Sequence, residues 1–139
     1  MTNHVNPDRD SFRTFRDYPR SGVVQMLNLV KFRAKALYED GRKASGKEAY
    51  AAYGRETGPI FRALGGRIVW SGSPEVMLIG PDSGEEWDIA FIAEYPSVDA
   101  FVEMIRNPDY QEAAKHRTAA VENSRLVRME PLPAGEGFG

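Results

Sequence analysis

Two stretches of the chain, Val23–Arg33 (VVQMLNLVKFR) and Trp87–Tyr95 (WDIAFIAEY), are apolar on both of the faces a strand can present. Side chains alternate along a strand with period two, so a sheet with one wetted face alternates apolar and polar residues. In the first stretch Val24, Met26, Val30 and Phe32 share one face, and Val23, Leu27 and Leu29 share the other. In the second, Trp87, Ile89, Phe91, Ala93 and Tyr95 oppose Ala90 and Ile92. Both strands therefore belong in the middle of a sheet that is covered front and back. Within the first, Asn28 falls on the face of Met26, while Gln25 and Lys31 fall on the opposite face.

The rest of the chain supplies the elements around these strands. Asn6-Pro7 predicts the start of a short helix, with Asn6 as N-cap and Pro7 in the first helical position, carrying Phe12 and Phe15 to a stop at Pro19. A charged connection, AKALYEDGRKASG, follows the first strand with turn signals at Asp40-Gly41 and Ser45-Gly46. Tyr50, Tyr53, Thr57, Ile60, Phe61 and Leu64 form one helical stripe over Lys47–Leu64. Gly58-Pro59 predicts a kink or break in that helix, and Gly65-Gly66 its end. RIVWSGSPEVMLIG predicts a bent strand in two pieces about Gly72-Ser73-Pro74, on a sheet edge because proline cannot donate to a ladder. PDSGEE predicts a hairpin loop. Ser97 caps a helix with Val98, Phe101, Val102 and Ile105 on one side, and Asn107-Pro108 starts another that runs to about Asn123. SRLVRMEP is the last strand.

The order is β-α-β-β-α-β, the split pattern of a ferredoxin-like α+β fold: a four-stranded antiparallel sheet with helices on one face and the first and third strands central. We read residues 1–22 as an N-terminal arm with a short helix, 23–131 as the domain, and 132–139 as a flexible tail. Helices on one face leave the other bare, although its central residues are apolar. A second copy related by a two-fold axis is the economical cover, so a homodimer through the sheet face is expected.

VVQMLNLVKFR, AYAAYGRETGPIFRALGGRIVWSG and WDIAFIAEYPSVDAFVEMIRNPDYQEAAKHRTAAVENSRLV together resemble a family of short bacterial domains of unknown function. That family is similar in fold to the dimeric α+β barrels, in which two ferredoxin-like sheets face each other. The likeness runs from about Val23 to Pro131. The wider relatives it implies include cofactor-free monooxygenases, lactone isomerases, haem-dependent peroxidases and ligand-sensing domains. Fold alone selects none of these chemistries.

Composition narrows the chemistry. With eighteen Lys and Arg against twenty Asp and Glu, the net charge of −2 supplies no general field for nucleic acid or an anionic membrane. Six bases against two acids between Lys31 and Lys47 form a local excess, read either as a solvated loop or as an anion-attracting lid. There is no cysteine and only two histidines, so a disulfide or thiolate centre is excluded and neither a metal nor an organic cofactor is expected. The opening residues lack the pattern of a signal peptide and no run is long enough for a membrane span, so the cytoplasm is expected.

Seven residues carry the site expectation. Asn28, a core amide, either bridges backbone groups or fixes a ligand oxygen, because a buried amide left unpaired costs about 1–3 kcal/mol. Arg117 lies amid Tyr110, Ala113, Ala114 and Val121 on one helical arc, either ion-paired to Glu94, Asp88 or Glu122 or free to clamp an anion. His116, at the edge of that arc, is a surface histidine or a general base. Lys31 either snorkels to solvent or binds a ligand. Tyr53, Trp70 and Trp87, with Tyr50 and Tyr95, are core aromatics or a surface for stacking a planar substrate. The functional expectation is a homodimer binding a small anionic or aromatic ligand. It stands as a cofactor-free enzyme on an enolisable or aromatic anion, in which Asn28 and His116 are catalytic, or as a non-catalytic sensing or structural domain.

Overall fold

The computed structural model describes residues 3–135, 137 and 138. The expected tail, 132–139, therefore falls partly outside the described residues. The elements run α1 (Arg9–Asp17), β1 (Val24–Phe32), α2 (Gly46–Ala63), β2 (Arg67–Gly72), β3 (Ile89–Tyr95), α3 (Val98–Arg106), α4 (Pro108–Ala120) and β4 (Val121–Met129). The sheet is antiparallel in the order β2-β3-β1-β4, so the two doubly apolar strands are central and the fold is ferredoxin-like α+β.

Several boundaries differ from the sequence expectation, each for a local reason. Asp8, not Asn6, caps α1: its carboxylate accepts the Ser11 N–H at 2.7 Å, and an anion is favoured at a helix N-terminus. Helix α2 runs unbroken through Pro59. Pro59 is exposed, so the Arg55 carbonyl that loses its partner can turn to water. Both ends of α2 are tightly held. Ser45 and Glu48 form a reciprocal capping box, with bonds of 3.0 and 2.8 Å. At the other end Gly65 (φ +83°) and Gly66 donate to the carbonyls of Arg62 and Phe61, which closes a Schellman turn that favours glycine.

The second piece of the expected bent strand is absent: β2 stops at Gly72, and residues 75–79 form no strand. Helix α4 ends at Ala120 rather than Asn123 and passes directly into β4. Its last carbonyls have a tertiary use that periodicity does not reveal. Ala120 O accepts from Arg33 N–H at 2.8 Å and Ala119 O from Leu37 N–H at 2.9 Å, which ties the 33–45 connection to the helix end.

The helix layer meets the sheet through two apolar clusters. One gathers Val24, Met26, Ala93 and Tyr95 of the sheet against Phe61, Phe101, Met104 and Tyr110. The other gathers Val30 and Val121 against Ala36, Ala49, Ala119 and Ala120. Phe91 touches both. The N-terminal segment lies along the β4 edge. Phe15 packs on Phe101 with ring centroids 4.9 Å apart, and the Arg128 guanidinium donates to the carbonyls of Phe15 and Arg20, both at 2.7 Å.

Candidate functional site

Asn28 lies on the helix-facing side of β1, between Met26 of one cluster and Val30 of the other. The helix–sheet core thus carries a polar seam at its middle. The Asn28 amide donates to Met26 O at 3.0 Å. In the helix layer α2 carries Tyr50, Tyr53 and Thr57 and α4 carries Tyr110 and Arg117, and the Arg117 charge acts on both Tyr50 and Tyr53. The Tyr53 and Tyr110 hydroxyls bond at 3.0 Å, and the Tyr50 ring lies 5.4 Å from Tyr53 and 5.0 Å from Phe32. The spacing produces this convergence: Tyr50, Tyr53 and Thr57 recur at helical intervals of three and four, and Tyr110 and Arg117 lie two turns apart.

Arg117 takes none of the carboxylates that its sequence context offers. Its Nη1 donates to Val5 O at 2.6 Å and its Nη2 to Ser124 Oγ at 3.4 Å. Among the described residues it forms no ion pair. Ser124 Oγ in turn donates to His4 O at 2.8 Å, and His4 N–H donates to Asn123 Oδ1 at 2.9 Å. The segment His4–Val5 is therefore a strap over Arg117, with neutral carbonyls where an anion's oxygens would suit the guanidinium. Between this strap and the Phe15–Arg128 attachment, Leu126 is 42% exposed and pairs in register with Asn28.

The electrostatics favour neutral phenols. Burial pushes Tyr50 up to about 12, and the nearby Arg117 charge pulls the other way without prevailing. Tyr53 is pushed well above the ordinary phenol range, first by burial and then by Tyr110. Near neutrality these groups are hydrogen-bond donors, not bases. Thr57 adds a buried hydroxyl with no partner among the described residues, although such a group ordinarily finds one. A guanidinium beside neutral phenols is suited to hold negative charge on a bound oxygen.

The remaining expected residues lie elsewhere. His116 sits between helix α2 and the 33–45 connection. Its Nδ1 is 2.6 Å from the Tyr38 hydroxyl and its Nε2 2.7 Å from Glu56 Oε2. Asn28 and His116 share none of these partners. Lys31, Trp70 and Trp87 lie on the sheet face turned away from the helices; the alternation expected from Trp87 to Tyr95 does not reach Trp87, because β3 begins at Ile89 and Trp87 turns instead to Arg125. Lys31 meets Glu86 at 3.7 Å, Trp70 pairs with Ile92, and the Arg125 guanidinium stacks 5.2 Å from the Trp87 ring. The sheet thus divides the seven expected residues. Arg117 and Tyr53 belong to one group with Tyr50 and Tyr110, Asn28 lies on the helix-facing side of β1 bonded to Met26, His116 meets Tyr38 and Glu56, and Lys31, Trp70 and Trp87 line the far face.

Sequence reasoning placed Tyr110 on the Arg117 arc without assigning it a role, and it passed over Tyr38, Glu56 and Ser124. Tyr38 and Glu56 carry no periodic signal that would bring them to His116, whereas Ser124 is the small polar residue interrupting β4. Two open surface grooves, of about 440 and 390 Å³, follow α3 and the α1–α3 junction and contain none of the expected residues. Among the described residues no three His, Asp or Glu side chains converge as a metal site, and no helix is long and apolar enough to cross a membrane.

Comparison with known proteins agrees with this architecture. A protein of unknown function from Rhodopseudomonas palustris is 57% identical, with a TM-score of 0.91 over 96% of this chain and 100% of that one. A dimeric protein of unknown function with a ferredoxin-like fold from Bacteroides fragilis is 18% identical, with a TM-score of 0.50 over 78% of this chain and 95% of that one. A dabb family protein with a ferredoxin-like fold from Mesorhizobium loti is 15% identical, with a TM-score of 0.52 over 81% and 99%. The last two likenesses concern the fold alone. No curated protein matches the chain. Residues 42–130, which carry α2 through β4 and most of the seam, match the model of the domain of unknown function DUF1330, and the chain belongs to that family.

Proposed function

We propose that this chain is a homodimeric small-molecule-binding protein whose ligand, a small aromatic or enolisable anion, occupies the seam between helices and sheet. One observation carries the reading. Arg117 has no carboxylate partner among the described residues, yet it stands beside the neutral Tyr53–Tyr110 pair, with the unpartnered Thr57 hydroxyl on the same face of α2 as Tyr53. Arg117 clamps the anion, Tyr53 and Asn28 position its oxygens, and the aromatic rings cover its plane. The same donors would stabilise an enolate, as a cofactor-free monooxygenase or isomerase requires. His116, whose two ring nitrogens meet Tyr38 and Glu56 away from the seam, is not part of that arrangement, and the catalytic role expected of it with Asn28 is not carried forward.

The dimer is supported by the far sheet face. Trp70 is 52% and Val127 48% exposed there, beside the half-buried Leu27, Leu29 and Ile92. Sheet-to-sheet association covers these residues and encloses Lys31, Trp70 and Trp87 within a barrel. We retain residues 23–131 as the domain and 1–22 as its arm.

Calorimetric titration with benzoate, salicylate and acetoacetate tests the site. Binding of at least one is expected, and Arg117→Gln should weaken it about 10-fold or more, the loss of a charge-assisted pair. Absence of binding by all three, or unchanged affinity in the variant, overturns the reading. The non-catalytic alternative predicts that no ligand is turned over.

A further inference from the structure

The residues ahead of α1 are held to the domain without secondary structure of their own. Among the described residues, 3–7 make no backbone–backbone hydrogen bond, and Val5 is half-buried while Asn3, His4, Asn6 and Pro7 are exposed. Three hydrogen bonds to side chains hold the segment. Val5 O accepts from Arg117 Nη1 at 2.6 Å, His4 O accepts from Ser124 Oγ at 2.8 Å, and His4 N–H donates to Asn123 Oδ1 at 2.9 Å. The Val5 side chain packs against the cluster around Val30, Ala119 and Val121, where Tyr50 also packs. A segment tied down in this way is separable from the fold, because sheet and helices keep all their backbone bonds when it leaves.

What the strap places on the site has the outline of a ligand. One carbonyl oxygen meets a guanidinium, a second meets a hydroxyl donor, and an isopropyl group fills the neighbouring apolar cluster. Arg117 Nη2 and Ser124 Oγ are 3.4 Å apart, so both donors serve one small region. A carboxylate is the stronger partner for Arg117. It carries the opposite charge and takes both Nη groups at once, whereas Val5 O takes one.

We propose that the His4–Val5 strap is a displaceable occupant of the Arg117 site, and that the anion displacing it carries a short branched aliphatic group beside its carboxylate. The carboxylate takes the place of Val5 O on Arg117, Ser124 Oγ turns its proton to a second ligand oxygen, and the branched group replaces the Val5 isopropyl. This rests on the anion-binding role of Arg117 proposed above. It selects the enolisable over the aromatic half of that reading, since the group replaced is aliphatic. A branched α-keto acid meets each requirement.

Calorimetric titration of the full chain and of its Val5→Gly variant with α-ketoisovalerate and pyruvate, beside benzoate, salicylate and acetoacetate, tests the strap. The Val5 methyl resonances of methyl-labelled wild type give a second readout. The branched acid should bind the wild type about 10-fold more tightly than pyruvate, which lacks the isopropyl group. Saturation with it should move the Val5 methyl signals to the positions of a solvated valine. Val5→Gly keeps the strap's carbonyl without its anchor and should bind the branched acid several-fold more tightly, whereas a merely structural loss would not raise affinity. Unmoved Val5 methyl signals at saturation, equal affinity for pyruvate, or no gain in Val5→Gly overturns the inference. If benzoate, salicylate or acetoacetate binds and the branched acid does not, the strap falls and the role of Arg117 stands. If nothing binds either chain, both fall.

Discussion

Arg117 and the tyrosines around it work against the usual economy of a core. A guanidinium is seldom placed near a protein interior without a carboxylate, yet here two neutral acceptors hold it. The phenols respond to burial more than to that charge, which gives a pH prediction of definite sign. Tyr50 ionises near 10 in an unfolded chain and near 12 when folded. The stability this burial contributes is fully present below pH 10 and is lost as pH rises towards 12, because only the unfolded state releases its proton in that interval. Alkaline titration followed by phenolate absorbance should show delayed ionisation that coincides with loss of helical signal. Tyr50→Phe should move that onset upward. At this scale the sequence was partly legible. Asn28 and Arg117 were visible as polar residues on apolar faces, but the Tyr53–Tyr110 contact joins residues 57 positions apart on separate helices.

Among the elements, α2 depends most on its ends. The Ser45–Glu48 capping box satisfies donors that the first turn cannot, and Ser45→Ala should cost about 1 kcal/mol, read by urea denaturation. Gly46 admits no side chain at all, since a Cβ there would collide with the Arg33 carbonyl and press on Ala120 O. Gly46→Ala must therefore displace the 33–45 connection and should cost about 3 kcal/mol or more, well beyond a propensity effect. The strap His4–Val5 has a different role. Removal of residues 1–7 takes away the carbonyls facing Arg117 and Ser124, so anion affinity in the seam should rise several-fold while thermal unfolding moves down by a few degrees. Calorimetry and a thermal melt on the same preparation check both effects. Helix α4 illustrates why boundaries were less legible than elements. Its end is set by Arg33 and Leu37 donating from a distant segment, which no local pattern encodes.

At the scale of the whole molecule, the sheet separates two environments. The helix side is packed around a polar seam, and the other side leaves Trp70 and Val127 half exposed. In the proposed dimer Val127→Glu should weaken association about 10-fold or more without changing the circular dichroism spectrum, because the site lies on the far side of β4 from the helix core. Analytical ultracentrifugation over a concentration series reads this directly.

The sequence by itself determined the element order, the central place of β1 and β3, and the ferredoxin-like topology. These follow from periodicity and from two strands apolar on both faces, which are properties of short windows of chain. It also determined that Asn28 and Arg117 are set among apolar neighbours. Only the tertiary structure decided that Arg117 is met by the Val5 carbonyl rather than by an acid, and that His116 turns to Tyr38 and Glu56. It likewise left residues 75–79 without a strand partner. Each of these outcomes depends on which distant groups arrive within hydrogen-bonding range, and pairing across a hundred residues leaves no local trace in composition or spacing.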